Sequence, residues 1–263
     1  LSVDLVAANP NGGGERRLTG GGISMISYSV SPYNVTEARA FAWSPDSTNI
    51  AYVAERNGVA NIWAVNARDG LDSPLTANGD PAYKFNCPVW SSDGRRIAFF
   101  TQRKNPADES KTLRGLRIYD LGSGNMAEIF ETDKMIRLIG WTGDESSLIF
   151  AETENRGGLP PETFLKSVAV ASRTEKSIVR LQNAYFYNIF LSDDRKLVAF
   201  AARNDDKDDV WVIPSVGGAS RKLTKNIDTS VYFSRLAWLH DGSSIVFGKQ
   251  TRFSLLSMIN DIK

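Results

Sequence analysis

Short apolar stretches along this chain end in Trp, break into a polar turn, and resume as an aliphatic residue, a small or aliphatic residue and an aromatic. The copies run from Trp43 through Asp46 to Ile50-Ala51-Tyr52, from Trp90 through Asp93 to Ile97-Ala98-Phe99, and from Trp141 through Asp144 to Leu148-Ile149-Phe150. Two more run from Leu191 through Asp194 to Val198-Ala199-Phe200 and from Trp238 through Asp241 to Ile245-Val246-Phe247. Each copy predicts a β-hairpin, because Asp accepts backbone hydrogen bonds in a turn and Gly94 or Gly242 tolerates positive φ. A second hairpin follows. Thirteen residues separate Ile62 from Leu75, Val210 from Leu223, Leu5 from Leu18, Leu116 from Ile129 and Val168 from Leu181. Turns such as Asn11-Gly12-Gly13-Gly14 and Gly217-Gly218 lie between them, so each unit reads as four strands.

From Asp to Asp the steps are 47, 51, 50 and 47 residues. A period of that size built from strands predicts an all-β, six-bladed β-propeller of four-stranded antiparallel blades, with the first and last blades incomplete. Residues 1–263 form one domain, with blade units at about 1–19 (partial), 36–77, 83–131, 134–183, 185–225 and 231–263 (partial). The first unit holds a third strand at 3–8 and a fourth at 15–19, and the last stops on a third strand at 254–259. Unpaired strand edges of this kind are what a closed ring removes, so the natural chain is expected to extend upstream of Leu1.

The repeat resembles the PD40, or TolB-like, group of WD40-related propellers over nearly the whole chain. Five copies keep the Asp, an aliphatic residue four positions on, and an aromatic at Tyr52, Phe99, Phe150, Phe200 and Phe247. Only Pro45 precedes its Asp as in the full motif, only two copies place Gly after the Asp, and Leu191 replaces Trp. The resemblance implies a non-catalytic module for protein interaction or ligand sensing, periplasmic or otherwise extracytoplasmic, in the bacterial envelope or as the sensor half of a regulator. It also implies an alternative: the substrate-gating propeller of a prolyl-oligopeptidase-like serine peptidase whose catalytic domain lies elsewhere.

Net charge is +1, from 31 basic and 30 acidic residues, which removes the long-range field that a nucleic-acid or anionic-membrane binder uses. No apolar run reaches about 18 residues, so direct membrane insertion is not expected. The one cysteine, Cys87, reads as a buried small hydrophobe beside Pro88.

A Ser-His-Asp hydrolase needs a base, and the one histidine, His240, falls inside a repeat turn. One histidine and one cysteine are too few for a zinc or copper site. Asp46, Asp93, Asp144, Asp194 and Asp241 share one position, which assigns them a structural turn role. The run Asp205-Asp206-Lys207-Asp208-Asp209 lacks calcium-loop spacing and reads as a solvated loop, with Asp209 matching Asn61 and Asp4 at strand entry. No phosphate-binding glycine pattern occurs. The chain is therefore expected to have no enzymatic activity and no cofactor or metal.

The first hairpin of each unit is constant in length, whereas the connections after the second and fourth strands vary. Alternating strand direction puts both variable connections on one face, which carries 20–36, 103–114 and 155–163. Near the mouth of the central channel on that face fall Tyr83, Phe85, Tyr185, Phe186, Tyr187, Tyr232 and Phe233, with Arg39, Arg137 and Arg235 at the same level. These aromatics either seal blade against blade or anchor a ligand. The candidate binding residues are Tyr83, Phe85, Arg137, Tyr185, Tyr187, Tyr232 and Arg235, and the expected partner is a protein, a peptide or a small anion.

Overall fold

The computed structural model describes residues 4–9, 11–20, 41–154 and 162–251; the side chains of Tyr185, Phe186, Tyr187 and Arg235 lie outside that description. All regular structure in these residues is β. β1 (Val6–Asn9) and β2 (Gly13–Arg17) form a two-stranded sheet. The second sheet is β3 (Phe41–Trp43), β4 (Asn49–Arg56), β5 (Val59–Asn66) and β6 (Asp72–Pro74). The third is β7 (Lys84–Trp90), β8 (Arg96–Asn105), β9 (Asp108–Asp120) and β10 (Met126–Thr132). The fourth is β11 (Met135–Trp141), β12 (Ser147–Glu154), β13 (Glu162–Ala169) and β14 (Glu175–Leu181). The fifth is β15 (Ala184–Leu191), β16 (Leu197–Asn204), β17 (Lys207–Pro214) and β18 (Arg221–Lys222). β19 (Val231–Trp238) and β20 (Ile245–Thr251) form a sixth, two-stranded sheet. Neighbours pair antiparallel in chain order, which is the up-and-down blade the repeat predicts. The expected third strand at 254–259 lies outside the described residues.

The second strands of the four four-stranded sheets are buried on both faces. Five consecutive residues are buried in each: Ile50 to Ala54, Ile97 to Thr101, Leu148 to Glu152 and Val198 to Ala202. That double burial is why the repeat reads Ile-Ala-Phe rather than as an alternation. The cores lie between consecutive sheets. Phe100 and Leu116 of the third meet Ile136, Leu138 and Phe150 of the fourth; Leu165 and Leu181 of the fourth meet Ile189 and Phe200 of the fifth.

The repeated Trp has a polar task as well as an apolar one. Trp90 Nε1 donates to Ala42 O at 3.1 Å, Trp141 to Val89 O at 3.1 Å and Trp238 to Phe190 O at 3.2 Å, each reaching the innermost strand of the preceding sheet. Where Leu191 replaces Trp, the residue at the acceptor position is Gly140, and a Cβ there would lie 2.9 Å from Leu191 Cδ2. The glycine leaves room for the Leu191 side chain.

The Asp turns share one geometry. Ser44, Ser91, Thr142 and Ser192 donate to the Oδ1 of Asp46, Asp93, Asp144 and Asp194 at 2.5, 2.6, 2.7 and 2.7 Å. Each Asp, and Asp241 too, accepts the N–H two residues on. The next residue is left-handed in all five: Ser47 (φ 59°), Gly94 (70°), Glu145 (57°), Arg195 (61°) and Gly242 (69°).

The thirteen-residue interval is a backbone hydrogen bond. Leu18 N donates to Leu5 O, Leu75 N to Ile62 O and Leu223 N to Val210 O, all at 2.8 Å. Ile129 falls instead at a bulge beside Leu116. The match of Val168 with Leu181 is corrected: Val168 pairs with Glu175 and Leu181 with Thr163, and the bulge thirteen residues from Leu165 is at Ile178. Segment 103–114 is not an irregular loop either. It continues the β8–β9 ladder through Lys104–Thr112 to Asn105–Asp108, making a projecting hairpin.

Candidate functional site

Strand direction places the β8–β9 hairpin tip, the ends of β4 and β16, and the starts of the innermost strands on one face, opposite the Asp turns. Tyr83, half-buried just before β7, has Arg117 Cζ 4.2 Å and Arg103 Cζ 5.3 Å from its ring centre. Arg103 is held in turn by Glu131, with Nη2 at 2.9 Å from Oε1. Tyr232, at the start of β19, lies 4.4 Å from Arg203 Cζ. Arg203 Nη1 bonds Asp208 Oδ1 at 2.7 Å, and the other oxygen of Asp208 accepts Phe233 N–H at 2.8 Å, tying the fifth sheet to the sixth.

Phe85 lies elsewhere. It is 1% exposed and packs on Phe99 at 4.9 Å between the second and third sheets, so its ring is core and not surface. Arg137 is half-buried: Nη1 donates to Ile189 O at 3.0 Å and the guanidinium lies 4.9 Å from the Phe190 ring centre. The candidate anchors Tyr185, Tyr187 and Arg235 have side chains outside the described set, as do 21–40 and 155–161 entirely.

Cys87, Val89, Arg137, Leu138, Ile139, Ile189 and Phe190, from the innermost strands β7, β11 and β15, line a cleft of about 10 Å³. That is room for one water and not for a peptide. Cys87 is half-buried and left-handed (φ 51°) in the β7 bulge, a channel-wall position rather than the fully buried one its neighbours in sequence implied.

The acidic run is a corrected reading as well. Asp205 and Asp206 (φ 48° and 58°) make the β16–β17 turn, but Asp208 is 0% and Asp209 2% exposed. Asp209 accepts Thr224 Oγ1 at 2.7 Å and Asn226 N at 3.0 Å and pairs with Lys222. Burial pushes its carboxyl up, yet the Asn226, Lys222 and Thr224 contacts outweigh that and hold it below the usual carboxylate range. Asn61 with Thr76 and Asp4 with Thr19 repeat the arrangement. Among the described residues no group of three His, Cys, Asp or Glu is placed to hold a metal ion. His240 is fully exposed, with Nδ1 2.7 Å from Asp193 Oδ2, and no described serine or cysteine bonds to it. No described helix is long and apolar enough to cross a membrane.

Sequence reasoning missed Arg103, Arg117 and Arg203, which flank the two tyrosines. A signal was available for Arg117 alone, which stands between the apolar Leu116 and Ile118 on its strand.

No protein-family model matches the chain. Dipeptidyl-peptidase 5 of Porphyromonas gingivalis is 25% identical over 195 residues, so the match takes in 70% of this chain but 27% of that protein's length. TolB from Acinetobacter baumannii has a similar structure, with a TM-score of 0.60 at 17% identity over 94% of this chain and 59% of that one. Prolyl oligopeptidase B from Galerina marginata gives 0.58 at 13% identity over 80% and 30%. With its strands paired in chain order and three indole bonds each reaching the innermost strand of the preceding sheet, this chain has the fold of a TolB-like β-propeller.

Proposed function

We propose that this propeller is a non-catalytic module of the bacterial envelope, or the sensor half of a regulator, that binds a protein or peptide partner through the face carrying the β8–β9 hairpin. The carrying observation is the β8–β9 hairpin, whose ladder runs on through Lys104–Thr112 to Asn105–Asp108 and projects from the face that carries Tyr83 and Tyr232, a placement typical of binding segments on a rigid scaffold. A protein suits that face better than a small anion. Arg103 is paired with Glu131, Arg203 with Asp208 and Lys84 with Glu55, so these three cations are already engaged. The extracytoplasmic location rests on the TolB likeness.

A second reading is favoured by the 70% of the chain that aligns with a dipeptidyl-peptidase. In it the same face gates a serine hydrolase domain. One experiment separates the two. A photo-crosslinker at Lys104, on the hairpin, is compared with one at Lys196, on the Asp-turn face. Capture of a non-hydrolase envelope protein through position 104 supports the first reading, and capture of a serine hydrolase domain supports the second. Adducts through Lys196 alone would sink both.

A further inference from the structure

We infer that Ile227 is an apolar anchor that enters a hydrophobic socket on a folded protein partner; this rests on the reading of its face as the partner-binding one. Residues 226–230 connect β18 to β19 on that face. Ile227, at the tip of this turn, is 87% exposed, the most of any large aliphatic side chain among the described residues. The turn beneath it is fixed. Asn226 N–H donates to the buried Asp209 at 3.0 Å, Asn226 Nδ2 to Asp228 O at 3.0 Å, and Asp228 N–H back to Asn226 Oδ1 at 3.1 Å. Ser230 closes it, its N–H and Oγ donating to Asp228 Oδ1 at 2.8 and 2.7 Å.

The connection from the second sheet to the third repeats this turn with a different tip. Asn78 N–H donates to Asn61 Oδ1 at 2.7 Å, Asp80 N–H to Asn78 Oδ1 at 3.1 Å and Ala82 N–H to Asp80 Oδ1 at 2.8 Å, and the tip is Gly79. The fold therefore does not call for an apolar side chain here. Nor does the next sheet cover the position. All four strands of the third sheet are described, projecting hairpin included, yet a Cβ on Gly79 would meet nothing within 4 Å among the described residues. By the same repeat, further strands of the sixth sheet would leave Ile227 bare. A solitary exposed aliphatic is ordinary on a protein surface; the fixed turn and the glycine in its counterpart set Ile227 apart. A side chain held rigidly before contact loses little freedom on binding, and a socket to receive it needs the interior of a folded protein. Arg203 ties the turn to Tyr232: Nη2 donates to Thr229 O at 2.7 Å, and Cζ lies 4.4 Å from the ring centre. Ile227 thus extends the surface that Tyr232 begins.

The test places a photo-crosslinker at the exposed Lys225, beside the tip, in the protein as its own cells make it, with Ile227 intact or changed by Ile227→Ser. Adducts are identified by mass spectrometry and set beside those from the crosslinker at Lys104. Expected is a protein captured at Lys225 in a yield that falls at least roughly tenfold with Ile227→Ser, while the melting temperature is unchanged. The captured protein, once purified, should bind the Ile227→Ser chain at least roughly tenfold more weakly. No adduct at Lys225, an adduct indifferent to Ile227→Ser, or a crosslink within the chain or to a second copy would each overturn the proposal. An Ile227-dependent adduct at Lys225 with none at Lys104 would support the anchor and count against the hairpin as the contact.

Discussion

At Ser91 one hydroxyl donates to Asp93 Oδ1 at 2.6 Å and accepts the Arg96 N–H at 2.9 Å, while the residue is 0% exposed. Ser91→Ala leaves that buried N–H unmet and should cost about 1–2 kcal/mol in denaturant unfolding. The turn carboxylates also give a pH dependence whose sign is fixed. Hydrogen bonds from Ser91 and the Arg95 N–H hold the Asp93 carboxyl below its ordinary range, and Asp46, Asp144, Asp194 and Asp241 are lowered by equivalent bonds. A folded-state value below the unfolded one contributes stability that is complete above about pH 4 and lost as pH falls through the folded values. Melting temperature should therefore decline below about pH 4, and Asp93→Asn should shallow that decline. A decline as steep in the variant as in the wild type would show that other groups are responsible.

Between elements, the indole bonds join apolar packing to a directional contact. Trp141→Phe keeps most of the ring but leaves Val89 O without its donor, and should cost about 1–3 kcal/mol by thermal or denaturant melting. A change below about 0.5 kcal/mol would mean that ring packing alone matters. The hairpins were legible in the sequence because Trp, Asp and the aromatic recur at fixed offsets, each answering to a local rule. The interval from Val168 to Leu181 misled, because a bulge at Ile178 shifts that register, and bulges have no composition of their own when no glycine marks them. Segment 103–114 was read only as a variable connection, and its strand content was not legible for a related reason. Its polar residues, Lys104 to Lys111, suit a solvated ladder as well as a loop. At the candidate site, the position of Tyr83 and Tyr232 at the starts of the innermost strands β7 and β19 followed from strand counting. The burial of Phe85 is the blade-sealing alternative, and nothing in one sequence says which of Tyr83 and Phe85, two residues apart, takes that role.

On the scale of the molecule, Glu145 links three sheets. It leaves the fourth sheet's turn in a left-handed conformation and accepts from Ser92 N–H and Arg96 of the third sheet and from Arg195 of the fifth, at 3.2 Å for Arg96 and 2.6 Å for Arg195. Burial opposes its ionisation, but the Ser92 and Arg195 bonds prevail and hold its carboxyl below the usual range. Glu145→Gln retains the shape and removes the charge, leaving two guanidinium groups facing each other. It should lower unfolding stability by about 1–3 kcal/mol, less in high salt. An equal loss at low and high salt would point to lost hydrogen bonds rather than charge.

The indole bonds of the third, fourth and sixth sheets run one way, each to the sheet before it, and the described sheets form a row with unlike ends. A row coupled only between neighbours melts as a one-dimensional array, fraying inward from whichever end holds fewest contacts. Native-state hydrogen exchange should accordingly show a gradient. Amides of β8, β12 and β16 exchange only through global opening, while those of β1 and β20 exchange through cheaper partial opening. One common opening free energy from β4 to β20 would show instead that the row behaves as a closed cycle, in which no sheet is first to go.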